Sequence, residues 1–198
     1  MLSVIPISKA YRLLNHGPTV LVTTAHGNQR NVMAAAWNMP LDFDPPRIAI
    51  VIDKKTYTRE LIEASGSFAI NVPCRAQAEI VVKVGSSSGR ELLGKPESDK
   101  FAAFQLPTFA ASNIAAPLLE GCVAWLECKV IPEPHIQDTY DLFLAEVVAA
   151  QVDDRVFSQN KDGQYLWHFE GHDELRTIHH VAGGAFMAIG EAFTQANP

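Results

Sequence analysis

Val20-Leu21-Val22-Thr23-Thr24-Ala25-His26-Gly27-Asn28-Gln29-Arg30-Asn31-Val32-Met33-Ala34-Ala35-Ala36-Trp37-Asn38 is the stretch on which the fold turns. Apolar and β-branched residues fill Val20 to Thr24, His26-Gly27-Asn28-Gln29 carries turn chemistry, and a second segment follows from Asn31 to Asn38. That succession predicts a β-hairpin. Outward from it, Pro45-Pro46 breaks structure before a strand over Arg47 to Ile52. Thr56 and Thr58 then precede a short helix from Arg59 to Ala64, closed by Gly66. Phe68, Ile70 and Val72 alternate with Ser67, Ala69 and Asn71, which predicts a half-buried strand ending at Pro73. On the other side, Ser8 to Asn15 reads as a short helix with Ser8 as its cap and Gly17-Pro18 as its stop.

Further along, Arg75 to Val84 has helical spacing and runs into the loop Gly85-Ser86-Ser87-Ser88-Gly89. Cys122 to Val130 reads as a strand with apolar even positions, and Glu127 and Lys129 facing the other way. Tyr140 to Val152 is a second long strand, Asp153-Asp154 and Asp162-Gly163 are turns, and Tyr165 to Phe169 is a last strand before a glycine-rich tail at Gly183-Gly184. A regular strand–helix alternation is missing. The pattern therefore predicts a mainly β protein with short helices, an antiparallel barrel rather than a doubly wound sheet.

The 198 residues fit one domain spanning 1–198, and 47% hydrophobic against 19% charged residues suffices for a core without staples. The net charge of -6 argues against nucleic-acid binding by phosphate neutralisation. No apolar run approaches the roughly 20 residues of a membrane helix, because even Ile48 to Ile52 is closed by Asp53, Lys54 and Lys55. The first residues carry Pro6 in their apolar patch and bases after it, the wrong order for a secretory signal, so a cytoplasmic protein is expected. Cys74, Cys122 and Cys128 read as buried thiols in that compartment.

Several motifs fail on inspection. Gly89 to Lys95 has the glycine and lysine spacing of a P-loop, yet Pro96 stands where a hydroxyl and a continuing helix are needed. No Gly-x-Gly-x-x-Gly or Gly-x-Ser-x-Gly occurs. His168, His172, His179 and His180 cluster with Glu170 and Asp173 in spacings that match no metal motif, so surface or hydrogen-bonding roles are expected and no metal.

Asp53 to Ile62 is different. Lys54, Lys55, Thr56 and Thr58 crowd the start of a helix directly after a buried strand, where free N–H groups and the helix dipole favour an anion. The same residues also suit a capped helix with a solvated turn.

Taken in order, Gly17-Pro18, Val20 to Thr24, Asn31 to Trp37, Pro45-Pro46, Lys54 to Thr58, Phe68 to Pro73, Ser88-Gly89-Arg90, Asp99-Lys100-Phe101 and Ala116-Pro117 resemble the flavin reductase-like, FMN-binding split-barrel family that includes flavoredoxins. The resemblance implies a six-stranded Greek-key split barrel and a homodimer with noncovalent FMN at its interface. It implies the phosphate on Lys54, Lys55, Thr56 and Thr58. It lays the strand Asn31, Val32, Met33, Ala34, Ala35, Ala36 along the flavin ring, with Ser88, Gly89 and Arg90 bordering the cofactor. Trp37 is then a core or flavin-edge aromatic. NADH or NADPH is the implied hydride donor, with a flavoredoxin-type electron carrier served by a redox partner protein, or a barrel that has lost its cofactor, as the alternatives.

Overall fold

Burial on both faces of the central strands shapes the molecule. The computed structural model describes residues 18–193, so the helix expected over Ser8 to Asn15 lies outside the described residues. In chain order the first part comprises β1 (Val20–His26), β2 (Gln29–Ala35), β3 (Asn38–Phe43), β4 (Pro46–Val51), α1 (Tyr57–Ser65), β5 (Ser67–Val72) and α2 (Ala78–Gly85). Next come α3 (Lys100–Ala103), β6 (Thr108–Phe109), β7 (Leu118–Leu119), β8 (Ala124–Ile131), α4 (Pro134–Tyr140) and β9 (Leu142–Val152). Three two-stranded ladders lie outside the main sheet: β6 with β7, β10 (Phe157–Gln159) with β11 (Tyr165–Trp167), and β12 (Ile178–Ala182) with β13 (Ala185–Ala188).

The main sheet is antiparallel in the order β2-β1-β5-β8-β9-β4-β3. Its first six strands send one face into a single apolar cluster: Val20 and Val22, Met33 and Ala35, Ile48 and Ile50, Phe68 and Ile70, Cys128, Phe143 and Ala145. A sheet whose end strands share one interior is coiled into a barrel. Ile62 of α1 joins that cluster.

The opposite face of β1 and β2 is covered as well. Leu21 and Val32 pack under Val81 and Val84 of α2, together with Phe101, Leu119 and Ile178. β5, expected to be half-buried, is covered on its second face too: Phe68, Ala69, Ile70 and Asn71 are all buried, Ala69 against Ala116 and Leu118. Asn71 is satisfied there, donating to the Leu21 carbonyl at 2.9 Å and accepting from the Leu119 N–H at 2.8 Å. Glu127, expected to face outward, is 1% exposed because its carboxylate accepts the N–H groups of Ser112 and Asn113 at 2.8 and 2.6 Å.

Three boundaries move. The second arm of the hairpin stops at Ala35, and a separate edge strand, β3, begins at Asn38. Pro134 opens a helix that ends at Tyr140, so the long strand starts at Leu142. The glycine-rich tail is a hairpin, β12–β13, turning at Gly183 with φ 53°. Among the described residues no helix is long and apolar enough to cross a membrane. Cys74, Cys122 and Cys128 are buried free thiols.

Candidate functional site

The helix start read from the sequence is built by Thr56, whose hydroxyl accepts the Arg59 N–H at 3.3 Å, while Gly66 ends α1 in the left-handed conformation at φ 68°. Thr56 is therefore the cap. Thr58 lies inside the first turn, fully buried, and its hydroxyl accepts from Asn31 Nδ2 at 2.8 Å, which ties α1 to β2. Arg59 anchors the other side of α1 through Asp141 at 2.6 Å and Glu63 at 2.6 Å.

Around this junction lies a groove with a polar end of about 340 Å³. Asn31, Met33, Ala34, Lys55, Thr56, Thr58, Ser88 and Gly89 line it, joined by Asp53, Tyr57, Ser87 and Lys100. Asp53 is engaged locally, accepting the Lys55 N–H at 2.7 Å. Two buried polar atoms here have no partner, Asn31 Oδ1 and the Tyr57 hydroxyl. Burial, with the Glu60 carboxylate beside it, pushes the Tyr57 phenol up. Such orphaned atoms are costly in a closed interior, and at the edge of a groove they are groups that a ligand or water can meet.

Gly89 is needed for space. A Cβ there would stand 2.8 Å from Asn31 Cγ and 3.2 Å from Tyr57 Cδ1. Lys100 is 2% exposed on a single-turn helix, with Nζ donating to the Val84 carbonyl at 2.8 Å, and burial lowers its pKa to about 8. No carboxylate among the described residues pairs with it. The sequence reading placed no site role on Lys100 or Tyr57.

Three other sequence candidates turn their side chains away from the polar end. Val32 is buried beneath α2. Lys54 turns from the groove toward α4, 3.9 Å from Asp141 and 3.5 Å from the Asp138 carbonyl. Arg90 pairs with Glu60 and stacks over the Tyr57 ring at 5.6 Å, so it buttresses the wall from outside. The run resembling a P-loop is a 3-10 turn at Gly89–Leu92.

The polar end is continuous with two less polar flanks along β2. One, about 510 Å³, is bounded by Ala34, Ala35, Ala36, Val81, Val82, Gly85 and the β12–β13 hairpin. The other, about 440 Å³, is bounded by Met33 to Trp37, Val51, Asp53, Tyr140, Asp141 and His180. Ala34 lines the polar end and both flanks. β2 is an edge strand, and its turn with β1 has two residues, so His26 pairs with Gln29 in a hydrogen-bonded register that recurs at Asn31, Met33 and Ala35. The N–H and C=O of Val32 and Ala34 consequently point off the free edge. An alanine at such a point lets a flat ligand reach the backbone.

Residues 12–176 match the family model of the flavin reductase like domain. The chain belongs to this family. A protein of Escherichia coli K12, YddH, is 44% identical over 193 residues, 96% of each chain. A solved FMN-binding domain of a flavin reductases-like enzyme from Shewanella baltica OS155 is also 44% identical, covers 98% of this chain and 97% of its own, and superposes with a TM-score of 0.81. Flavoredoxin of Desulfovibrio vulgaris (Miyazaki F) is 26% identical over 99% of this chain and 97% of its own, TM-score 0.77. The family's split barrel is the coiled sheet described above, with β3 as a seventh strand added at one edge.

His168, His172 and His180 each sit with a separate partner. His168 Nε2 meets Ser158 Oγ at 2.8 Å, His172 lies 3.8 Å from Glu174, and His180 donates to the Gly183 carbonyl at 3.0 Å. Among the described residues no three potential metal ligands group together.

Proposed function

We propose that this flavin reductase-like protein holds FMN noncovalently in the groove and transfers hydride from NADH or NADPH to an acceptor or to free flavin. The observation that carries this reading is one groove along β2 that joins a cationic helix-start pocket to apolar flanks meeting at Ala34. The residues fit the group. Lys55, Lys100 and the first turn of α1 would hold the phosphate. Asn31 Oδ1 and the Tyr57 hydroxyl are free to accept or donate to ribityl hydroxyls. Ala34 offers its edge N–H to the ring, and α2 with the β12–β13 hairpin keeps water from one side. Bound there, FMN supplies the hydride-accepting ring, so the chain itself needs no acid–base pair.

Purified protein should quench FMN fluorescence on titration, and bind FAD less well because the phosphate end suits a terminal phosphate. Anaerobic mixing with NADH and with NADPH should then bleach the flavin. A loaded protein that neither donor bleaches is instead an electron carrier served by a redox partner protein, the reading supported by the likeness to flavoredoxin.

The partner proposed for the chain is a second copy. β3 lies at the sheet edge opposite β2 and exposes Met39, Leu41 and Phe43, the last at 92%, on alternate positions. An apolar edge strand in water favours pairing, and twofold closure is the commonest outcome. Leu41→Asp should shift sedimentation from dimer to monomer, and flavin occupancy should fall with it if the interface completes the site.

A further inference from the structure

We propose that Arg59, which lies outside the groove, is the positioning residue of the phosphate seat, because its guanidinium and its backbone N–H hold the two ends of the turn that presents Lys55. This deepens the flavin reading and rests on it for a phosphate at the start of α1.

The turn runs from Ile52, the residue after β4, to the cap Thr56. Within it Asp53 sets the shape, its carbonyl accepting the Thr56 N–H at 2.9 Å and the Thr56 hydroxyl at 2.8 Å, and its carboxylate accepting the Lys55 N–H at 2.7 Å. Arg59 fixes where that shape sits. At one end its N–H donates to Thr56 Oγ1 at 3.3 Å. At the other, Nη1 donates to Asp141 Oδ1 at 2.6 Å and reaches the Ile52 carbonyl at 3.5 Å, while the Ile52 N–H donates to the Asp141 carbonyl at 2.8 Å. One ion pair therefore holds both backbone groups of Ile52. Nη2 adds the Gln137 carbonyl of α4 at 3.0 Å, and the guanidinium lies over the Phe143 ring of β9 at 5.2 Å. With Thr56 as cap, the N–H groups of Tyr57 and Thr58 have no carbonyl within the helix to bond. Their direction, like the reach of Lys55, follows the turn.

Stability alone is a poor reason for this arrangement. Desolvation offsets most of what a buried ion pair gains, so an apolar side chain of similar length commonly serves a fold as well. Arg59 is buried, whereas its partners Glu63 and Asp138 face water and return to it when the guanidinium is removed. Asp141 keeps Lys54 at 3.9 Å. What methionine cannot supply is the planar fork that reaches Ile52, Asp141 and Gln137 at once. Arg59 lines neither the polar end nor the flanks, so its loss removes no contact with a ligand there.

The test compares FMN with riboflavin, which has the same ring and ribityl chain and no phosphate, by fluorescence quenching. Arg59→Met should weaken FMN by about tenfold or more and leave riboflavin within about twofold. A merely structural role would lower both together, and that result, or unchanged FMN affinity, overturns the proposal. Arg59→Lys keeps the charge and loses the fork, so its FMN-to-riboflavin affinity ratio should fall by about threefold or more. A lysine variant equal to wild type means that charge alone acts, and overturns the proposal even if Arg59→Met fails to fold. Equal binding of FMN and riboflavin by the wild type overturns it as well and leaves the flavin reading standing. If the wild type takes up neither, the flavin reading fails by itself. Inorganic phosphate then decides: it should raise the melting temperature of the wild type and not of Arg59→Lys, and an equal rise in both, or none in either, overturns the role of Arg59.

Discussion

Lys100→Met will weaken FMN binding by about 10- to 150-fold at pH 7 while raising the melting temperature of the FMN-free protein. The two signs have one cause. Lys100 is buried with a single carbonyl partner, and burial has lowered its pKa from 10.5 to about 8. Between those values the unfolded chain holds more protons than the folded one, so stability rises with pH across that window. At pH 7 the folded protein therefore carries the full cost of an unpaired buried ammonium. That cost exceeds the roughly 1 kcal/mol returned by the bond to Val84, and methionine removes it.

A bound phosphate reverses the balance, because it favours the charged lysine. FMN affinity of the wild-type protein should therefore fall as pH rises beyond about 8, by up to about tenfold per pH unit. In Lys100→Met this alkaline limb should disappear. Fluorescence titrations from pH 6 to pH 10, with melting curves of the FMN-free proteins, check both signs. An alkaline limb that survives in the variant would place the phosphate away from Lys100.

What the sequence revealed and what it hid follow from how local each signal is. The β1–β2 hairpin was legible because two residues at Gly27-Asn28 set the turn and an apolar, β-branched run precedes it. The cap of α1 was legible down to the choice between Thr56 and Thr58, which the sequence left open because the partner that takes up Thr58, Asn31, lies 27 residues away. β3 was hidden by Pro40, which reads against a strand and is tolerated only because the strand is an edge. Nothing in α4 is buried, so it carries no apolar periodicity, and Pro134 at its first turn was its one signal.

Among the site residues, adjacent lysines part company. Lys55 lines the groove and Lys54 reaches for Asp141, a choice fixed by α4 more than 80 positions later in the chain. Lys100 escaped because α3 is a single turn, which has no period to read. Its place comes from Arg30 of β2, which binds the α3 cap Asp99 at 2.6 Å and stacks over Phe101 at 4.7 Å. A local pattern cannot report such a clasp. The resemblance could, since Asp99-Lys100-Phe101 was part of it, although it named no role for the lysine.

Gly89→Ala should abolish measurable FMN binding, with a loss above about 100-fold, while leaving a folded barrel. Its φ is not in the left-handed region, so alanine is acceptable to the backbone and the effect is one of space. The added methyl would press on the Asn31 amide and on the Tyr57 ring. Neither neighbour can yield cheaply. Asn31 is held by Thr58 at 2.8 Å and is 2% exposed, and Tyr57 is clamped beneath Arg90. Displacing Asn31 breaks its bond to Thr58 and leaves another buried polar group unpaired, at about 1–3 kcal/mol. It also moves the orphaned Oδ1 that the ligand is proposed to meet. The barrel interior is untouched, because Gly89 contacts neither Ile62 nor the strands' inner faces. A double-mutant cycle with Asn31→Ala isolates the cause. If the methyl acts through Asn31, Gly89→Ala should cost little further affinity once that side chain is gone, so the two losses fall well short of additive. Full additivity would mean that the methyl blocks the ligand directly. Unchanged FMN affinity in Gly89→Ala alone would place the cofactor outside the polar end of the groove.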